Sequence, residues 1–151
     1  MMYYTHLLFA ALVALMLFPF NISPYIAFPL ILLGGIFPDI DQPNSYISKR
    51  LKPVNALTRF AKHRGFFHSV WLIALVYVIV LYFAKPFMMY SNLFLIGYFS
   101  HIFIDGFTVQ GINFLHPFSK LHLSGFVETG SATEKLLALV LLLVIVFVLV
   151  F

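Results

Sequence analysis

The sequence predicts an all-α membrane protein, a polytopic bundle of about five transmembrane helices that forms a single domain over residues 1–151. The composition is the first reason. Of the 151 residues, 62% are hydrophobic and only 9% are charged, and the mean hydropathy is +1.01, whereas soluble domains are nearer half apolar and a quarter charged. The second reason is that the apolar residues gather into five stretches, at 3–20, 22–37, 66–84, 93–104 and 136–151.

The lengths of these stretches test the transmembrane interpretation. A helix that crosses the hydrocarbon core needs about 20 residues, with about 17 at the lower end. The first and third stretches meet this length, the second is short and contains two prolines, and the fifth is slightly short. The fourth spans only if its helix continues through Asp105. Because neither Lys nor Arg precedes the first stretch and no small-residue cleavage site follows it, we predict a retained helix rather than a signal peptide.

Basic residues set the predicted orientation, since cytoplasmic loops carry the excess of Lys and Arg. Only Lys85 lies between the third and fourth stretches, and Lys120 and Lys135 lie between the fourth and the fifth or at its start. The connection between the second and third stretches carries six basic residues: Lys49, Arg50, Lys52, Arg59, Lys62 and Arg64. We therefore predict an inner-membrane protein with its N-terminus inside, its C-terminus outside and its long connections in the cytoplasm.

Eight acidic or histidine residues fall at the same predicted cytoplasmic face. They are His6, Asp39, Asp41, His63, His68, His101, Asp105 and Glu134. Taken singly, the two aspartates between Pro38 and Pro43 could cap a helix end, and the lone His116 and His122 are better explained as interface anchors. The orientation was assigned from Lys and Arg alone, so the convergence of the other residues is independent support for a site.

The pair His101 and Asp105 is the hardest part of this set to explain without a ligand. Residues four apart project from one face of a helix. A carboxylate near lipid costs about 2.5–3.5 kcal/mol unless it is paired or ligated. The sequence therefore predicts a metal site at the cytoplasmic ends of the helices.

The chain contains no cysteine, so imidazole, carboxylate or backbone oxygen must hold any metal. Seven candidate ligands are present: His6, Asp39, Asp41, His63, His68, His101 and Asp105. This number suits one or two divalent ions, and two ions would lie about 3.5–4 Å from each other and share a bridging aspartate. Ligands of this kind suit Zn most, with Mn or Fe(II) as alternatives.

Two further residues are the candidate catalytic groups. The guanidinium of Arg64, beside His63 and followed by Gly65, could hold a phosphate or carboxylate with two hydrogen bonds. A positive-inside anchor explains Arg64 equally well. Glu134 precedes the fifth stretch at the same face and is the second candidate.

At these residues the sequence resembles the YdjM-like predicted membrane-bound metal-dependent hydrolases. The resemblance covers His6, the run from Pro38 to Pro43, the run from His63 to Ser69 and the run from Gly97 to Thr108. It departs from the family at Gln42, where histidine is common, and at Phe67, where threonine is common. The resemblance implies a metal-dependent hydrolase. More loosely, the scattered His and Asp residues are similar to the all-helical zinc phospholipase C and S1/P1 nuclease group, which favours a phosphoester substrate.

Several functions are compatible with such a site, and a hydrolase of a lipid or membrane-proximal phosphoester ranks first. A metal-ion or proton transporter ranks lower, because transporter sites usually lie near the bilayer midplane between repeated halves. A non-catalytic scaffold with a structural metal is a third possibility. The clustered histidines of a di-iron oxygenase and the H-E-x-x-H motif of a zincin protease are both absent from the sequence. The expected partners are the lipid bilayer and a lipid or phosphoester substrate, and no nucleic acid.

Overall fold

A computed structural model of the protein describes residues 1–17, 23–41 and 66–151. Over these residues it contains five α-helices, which are α1 (Tyr3–Met16), α2 (Pro24–Ile36), α3 (Val70–Phe83), α4 (Met88–Asp105) and α5 (Ala132–Val150). Short 3-10 helices occupy Phe37–Asp41, Phe66–His68 and Lys85–Phe87. The described residues form no β-strand, and two isolated bridges, Thr108 with Val127 and Ile112 with Leu123, join the segment between α4 and α5. The prediction of an all-α fold is confirmed.

Among the described residues, the five predicted membrane spans are supported only in part. Two segments, Lys85–Asp105 and Ala132–Val150, are long and apolar enough to cross a membrane. Within the described residues α1, α2 and α3 have 14, 13 and 14 residues, or roughly 20 Å each, against a hydrocarbon core of about 30 Å. The helix α4 does continue through Asp105, as its span requires, and it begins at Met88, earlier than the apolar stretch that starts at position 93.

Local sequence explains where two of the helices begin. The hydroxyl of Ser69 accepts a hydrogen bond from the backbone N–H of Trp71 at 3.1 Å, which caps α3. The hydroxyl of Ser131 accepts from the backbone N–H of Glu134 at 3.3 Å and caps α5. Ser, Thr, Asn and Asp are favoured at this position because their oxygens satisfy an amide that the helix leaves unbonded.

The helix α4 is the centre of the bundle, and it packs against α1, α2 and α3. Glycines allow its closest approach, which is to α2. A Cβ atom at Gly34 would lie 2.0 Å from the carbonyl oxygen of Phe94, and a Cβ atom at Gly97 would lie 2.0 Å from the carbonyl oxygen of Ile31. Small residues at helix interfaces are typical of membrane proteins, where backbones approach closely. The approach brings the end of α2 beside the end of α4.

Candidate metal centre

Five buried or nearly buried side chains meet where several elements end. They are His6, Asp39, His68, His101 and Asp105. His6 lies in the first turn of α1, and His101 and Asp105 lie at the end of α4. Asp39 follows α2 on one 3-10 helix, and His68 precedes α3 on another. Five of the seven ligands proposed from the sequence are therefore brought together by the fold.

The five residues form two interlocking groups of three that share His101. One group is His6, Asp39 and His101, and the other is His68, His101 and Asp105. Within each group the candidate ligand atoms all lie within 4.8 Å of one another. The groups also touch directly, because His6 Nε2 lies 3.4 Å from Asp105 Oδ1. Each group offers imidazole nitrogen and carboxylate oxygen, the donors that zinc accepts.

The protonation of His101 follows from one hydrogen bond. Its Nδ1 lies 2.8 Å from the carbonyl oxygen of Gly35, and because a carbonyl can only accept, Nδ1 carries the proton. In the neutral ring Nε2 then presents a lone pair. This Nε2 lies 3.7 Å from Asp39 Oδ1 and 3.9 Å from Asp105 Oδ2. A lone pair that faces two carboxylates is unfavourable unless a cation lies between them, and metal–ligand bonds of about 2.0–2.2 Å can bridge such gaps.

The ring of His6 is buried in the same way as the ring of His101. It stacks on the ring of His101 with centroids 3.8 Å apart and planes 9° apart. Both nitrogens of His6 and the Nε2 of His101 are buried and make no hydrogen bond within the described part of the chain. Buried polar atoms are normally satisfied, so atoms left without a bond suggest an ion that the site is built to hold.

The two carboxylates lie in different surroundings. Asp39 has a side chain that is 13% exposed. Burial raises the pKa of the Asp39 carboxyl, and the nearby imidazole of His6 opposes this shift. Asp105 is 1% exposed, and its Oδ1 accepts a hydrogen bond of 2.7 Å from the α-amino group of Met1. A cation bound beside either carboxylate would favour its charged form.

Glu134 is fully buried but contacts a different set of atoms. Its Oε1 accepts hydrogen bonds from the backbone N–H of Met2 at 2.6 Å and from the hydroxyl of Thr5 at 2.9 Å. Its Oε2 accepts from the backbone N–H of Gly130 at 2.6 Å. These bonds join the start of α5 to the start of α1, which carries His6.

The structure does not describe three of the side chains that the sequence predicts at the site. His63 and Arg64 fall outside the described residues, and so does the side chain of Asp41. The histidines interpreted as anchors belong to neither group of possible ligands. His122 is exposed, and its Nδ1 lies 3.0 Å from Asn113 Oδ1.

Sequence reasoning did not identify the partners that orient the site. The Gly35 carbonyl fixes His101, and Thr5 together with Met2 engages Glu134. The adjacent glycines in α2, Gly34 and Gly35, are the one sequence signal that could have pointed to a close backbone contact, since glycine permits such approach.

Comparison with known proteins agrees with the membrane character of the chain. The family described as YdjM inner membrane protein matches residues 1–151. The protein named inner membrane protein YdjM in Escherichia coli (strain K12) is 32% identical over 126 aligned positions, which cover 74% of this chain and 63% of the relative. Its namesake in Shigella flexneri matches to the same extent. The uncharacterized protein YvsG of Bacillus subtilis (strain 168) is 28% identical over 106 positions, or 69% of this chain and 66% of that protein.

These comparisons identify the family of the chain, and the names of the relatives state no reaction. The chain spans 63% of the length of the Escherichia coli and Shigella flexneri relatives. No solved structure gives a significant match. Because the family match extends over the whole of residues 1–151, the chain belongs to the YdjM family of inner membrane proteins.

Proposed function

We propose that this protein is a membrane-bound metal-dependent hydrolase that acts on a phosphoester of a lipid or of another membrane-proximal substrate. The observation that carries the proposal is the buried lone pair of His101 Nε2, which faces the carboxylates of Asp39 and Asp105 at 3.7 and 3.9 Å. One or two divalent ions, Zn first and Mn or Fe(II) as alternatives, fit this donor set. When bound, such an ion supplies an attacking water whose pKa is lowered toward neutrality.

The chain's own residues prepare the site for that chemistry. Asp39 and Asp105 provide negative charge against a bound cation, and the Gly35 carbonyl holds His101 with its lone pair toward them. Partners that orient a ligand in this way typically change metal affinity by about 10–100-fold when they are removed. His6 is held in the same place by the hydrogen bonds that Glu134 makes with the first turn of α1.

The two candidate catalytic residues receive different roles in the proposal. Arg64 follows His63 directly and is the cation that would orient the phosphate, since a guanidinium offers two parallel donors. Glu134 is a positioning residue, because its described hydrogen bonds go to Met2, Thr5 and Gly130. The location of the cluster supports hydrolysis over transport. His101 and Asp105 occupy the last turns of α4 and not its middle, whereas transporter sites usually lie at the midplane.

The test compares two Arg→Lys substitutions in the purified, metal-loaded protein, assayed with phospholipids and simple phosphodiesters. We expect Arg64→Lys to retain metal and fold but to lose about 2–4 kcal/mol of transition-state stabilisation, roughly 30- to 900-fold in turnover, because an ammonium cannot replace a two-point donor. Arg59→Lys is the matched control, since it makes the same change in the same basic connection, and its turnover should equal that of the wild type.

Three results would contradict parts of this proposal. If the wild-type protein binds no Zn, Mn or Fe, both the hydrolase proposal and a transporter that chelates its metal are excluded. Metal-loaded protein that hydrolyses nothing, but carries metal or protons across proteoliposomes, would establish the transporter instead. If the Arg64→Lys variant is fully active, Arg64 does not bind substrate and is only a positive-inside anchor.

We further propose that the chain crosses the membrane five times, with its N-terminus and the His/Asp cluster on the cytoplasmic side. The basic connection that contains Ser45 should then lie inside, while Met88, at the far end of α4 from Asp105, should lie outside. Because the chain has no cysteine of its own, Ser45→Cys and Met88→Cys can each be labelled singly in intact cells. We expect an impermeant maleimide to label only Met88→Cys. Equal labelling of both variants would exclude this orientation.

A further inference from the structure

An apolar groove of about 760 Å³ runs between α1, α3 and α4. Its walls are formed almost entirely by aliphatic and aromatic side chains, among them Phe9, Tyr77 and Phe99. The polar exceptions are Asn92 and Ser100, and the Ser100 hydroxyl already donates a hydrogen bond to the Gly97 carbonyl at 2.6 Å. The other described residues that line the groove are apolar or aromatic, so the groove suits a hydrocarbon ligand.

One end of this groove lies beside the His/Asp cluster. Phe9 is one helical turn beyond His6 on α1, and Val70 is two residues beyond His68. Ser100 and Phe103 lie on either side of His101 on α4. The groove then extends along α3 and α4 away from the cluster, as far as Val78 and Asn92.

The dimensions of the groove match one layer of a membrane. Phe103 and Asn92 are 11 positions apart on α4, which corresponds to roughly 16 Å along the helix. One leaflet occupies half of a hydrocarbon core about 30 Å thick. Spread over that length, the groove volume of 760 Å³ leaves a mean cross-section of roughly 47 Å². This space is elongated along the helices, as an extended acyl chain is.

We propose that this groove holds an acyl chain of a phospholipid whose headgroup lies at the His/Asp cluster. The inference rests on the proposed function for the reaction itself, and it narrows the substrate from phosphoesters in general to those that carry a fatty chain. The apolar wall binds the chain, and the cluster at its end meets the phosphate at the depth where a headgroup lies. Burial of each methylene contributes to affinity, so chain length should matter.

The experiment measures lipid binding at the groove independently of turnover. Wild-type protein in detergent micelles, where no other phospholipid competes for the groove, is exposed to phosphatidylglycerol with a diazirine on one acyl chain, and the crosslinked residues are mapped by mass spectrometry. We expect crosslinks on Tyr77 and Phe99, which unlabelled phosphatidylglycerol displaces to saturation, whereas crosslinks on the exposed face of α5 should not saturate. Even, unsaturable labelling of all lipid-facing helices would overturn the inference.

A pair of neighbouring substitutions provides the control. Ala74→Trp places a large ring in the groove wall, and Leu75→Trp places the same ring on an exposed position that does not line the groove. We expect Ala74→Trp to reduce saturable crosslinking by about tenfold, the effect of excluding about two methylenes, and Leu75→Trp to leave it unchanged. If Ala74→Trp does not fold, Ala74→Leu makes a smaller obstruction. Crosslinking that neither Ala74 variant reduces would overturn the inference.

Turnover separates this inference from the proposed function. We expect Ala74→Trp to lower hydrolysis of a phospholipid while it leaves hydrolysis of a water-soluble phosphodiester at the wild-type rate. Equal phospholipid turnover by wild type and Ala74→Trp would overturn the acyl-chain site and leave the hydrolase intact. Saturable groove crosslinking in a protein that hydrolyses nothing would support the lipid site and reject the hydrolase.

Discussion

His101→Ala is expected to remove metal from both halves of the centre. His101 is the residue that the two groups share, while Asp39 belongs to one group and His68 to the other. Because the loss of an outer-shell partner alone typically costs 10–100-fold in metal affinity, loss of this ligand should weaken zinc binding by more than about 100-fold. Asp39→Ala and His68→Ala should retain part of the bound metal. Equilibrium dialysis against zinc, followed by elemental analysis, measures the difference.

The matched control for this prediction is His122→Ala. His122 is an exposed histidine that contacts Asn113 and belongs to neither group, so its removal should leave zinc binding unchanged. Turnover should fall together with metal content in the His101 variant and stay constant in the His122 variant. Wild-type zinc affinity in His101→Ala would contradict the metal centre, and with it the proposed hydrolase.

Gly97→Ala is expected to have the largest effect on folding. The added methyl would lie 2.0 Å from the carbonyl oxygen of Ile31 and 2.8 Å from the carbonyl carbon. Both atoms belong to the α2 backbone, which cannot move aside as a side chain could. Overpacking of a tight interface typically costs about 1–3 kcal/mol, and a clash with the backbone should be at the upper end or above. Thermal unfolding in detergent measures the loss of stability.

The interface of α2 and α4 also sets the distance between Gly35 and His101. If the helices separate, the 2.8 Å contact between the Gly35 carbonyl and His101 Nδ1 is lost as well. We therefore expect Gly97→Ala to bind metal more weakly even under conditions where it stays folded. Gly106→Ala is the control, because its methyl would meet the nearest backbone oxygen only at 3.2 Å. Equal unfolding temperatures for the two variants would contradict the close packing.

Much of the architecture is determined by local sequence. Apolar stretches and their lengths determine the helices, and the length that a membrane span requires predicts the continuation of α4 through Asp105. The grouping of His6, Asp39 and His68 with this pair also follows from sequence, since each lies next to the end of an apolar stretch. Periodicity and hydropathy predict the helices and the residues near their ends, because both are properties of contiguous residues.

The pairing of those residues was decided by the tertiary structure alone. His6 and His101 are 95 positions apart and stack at 3.8 Å, and no local pattern encodes which ring meets which carboxylate. Glu134, placed among the candidates by its position, engages Met2 and Thr5 because α5 packs against α1. The Gly35 carbonyl orients His101 because glycines let α2 and α4 approach. Sequence determined which groups reach this end of the bundle, and helix packing decided their partners, because distances between side chains depend on the backbones that carry them.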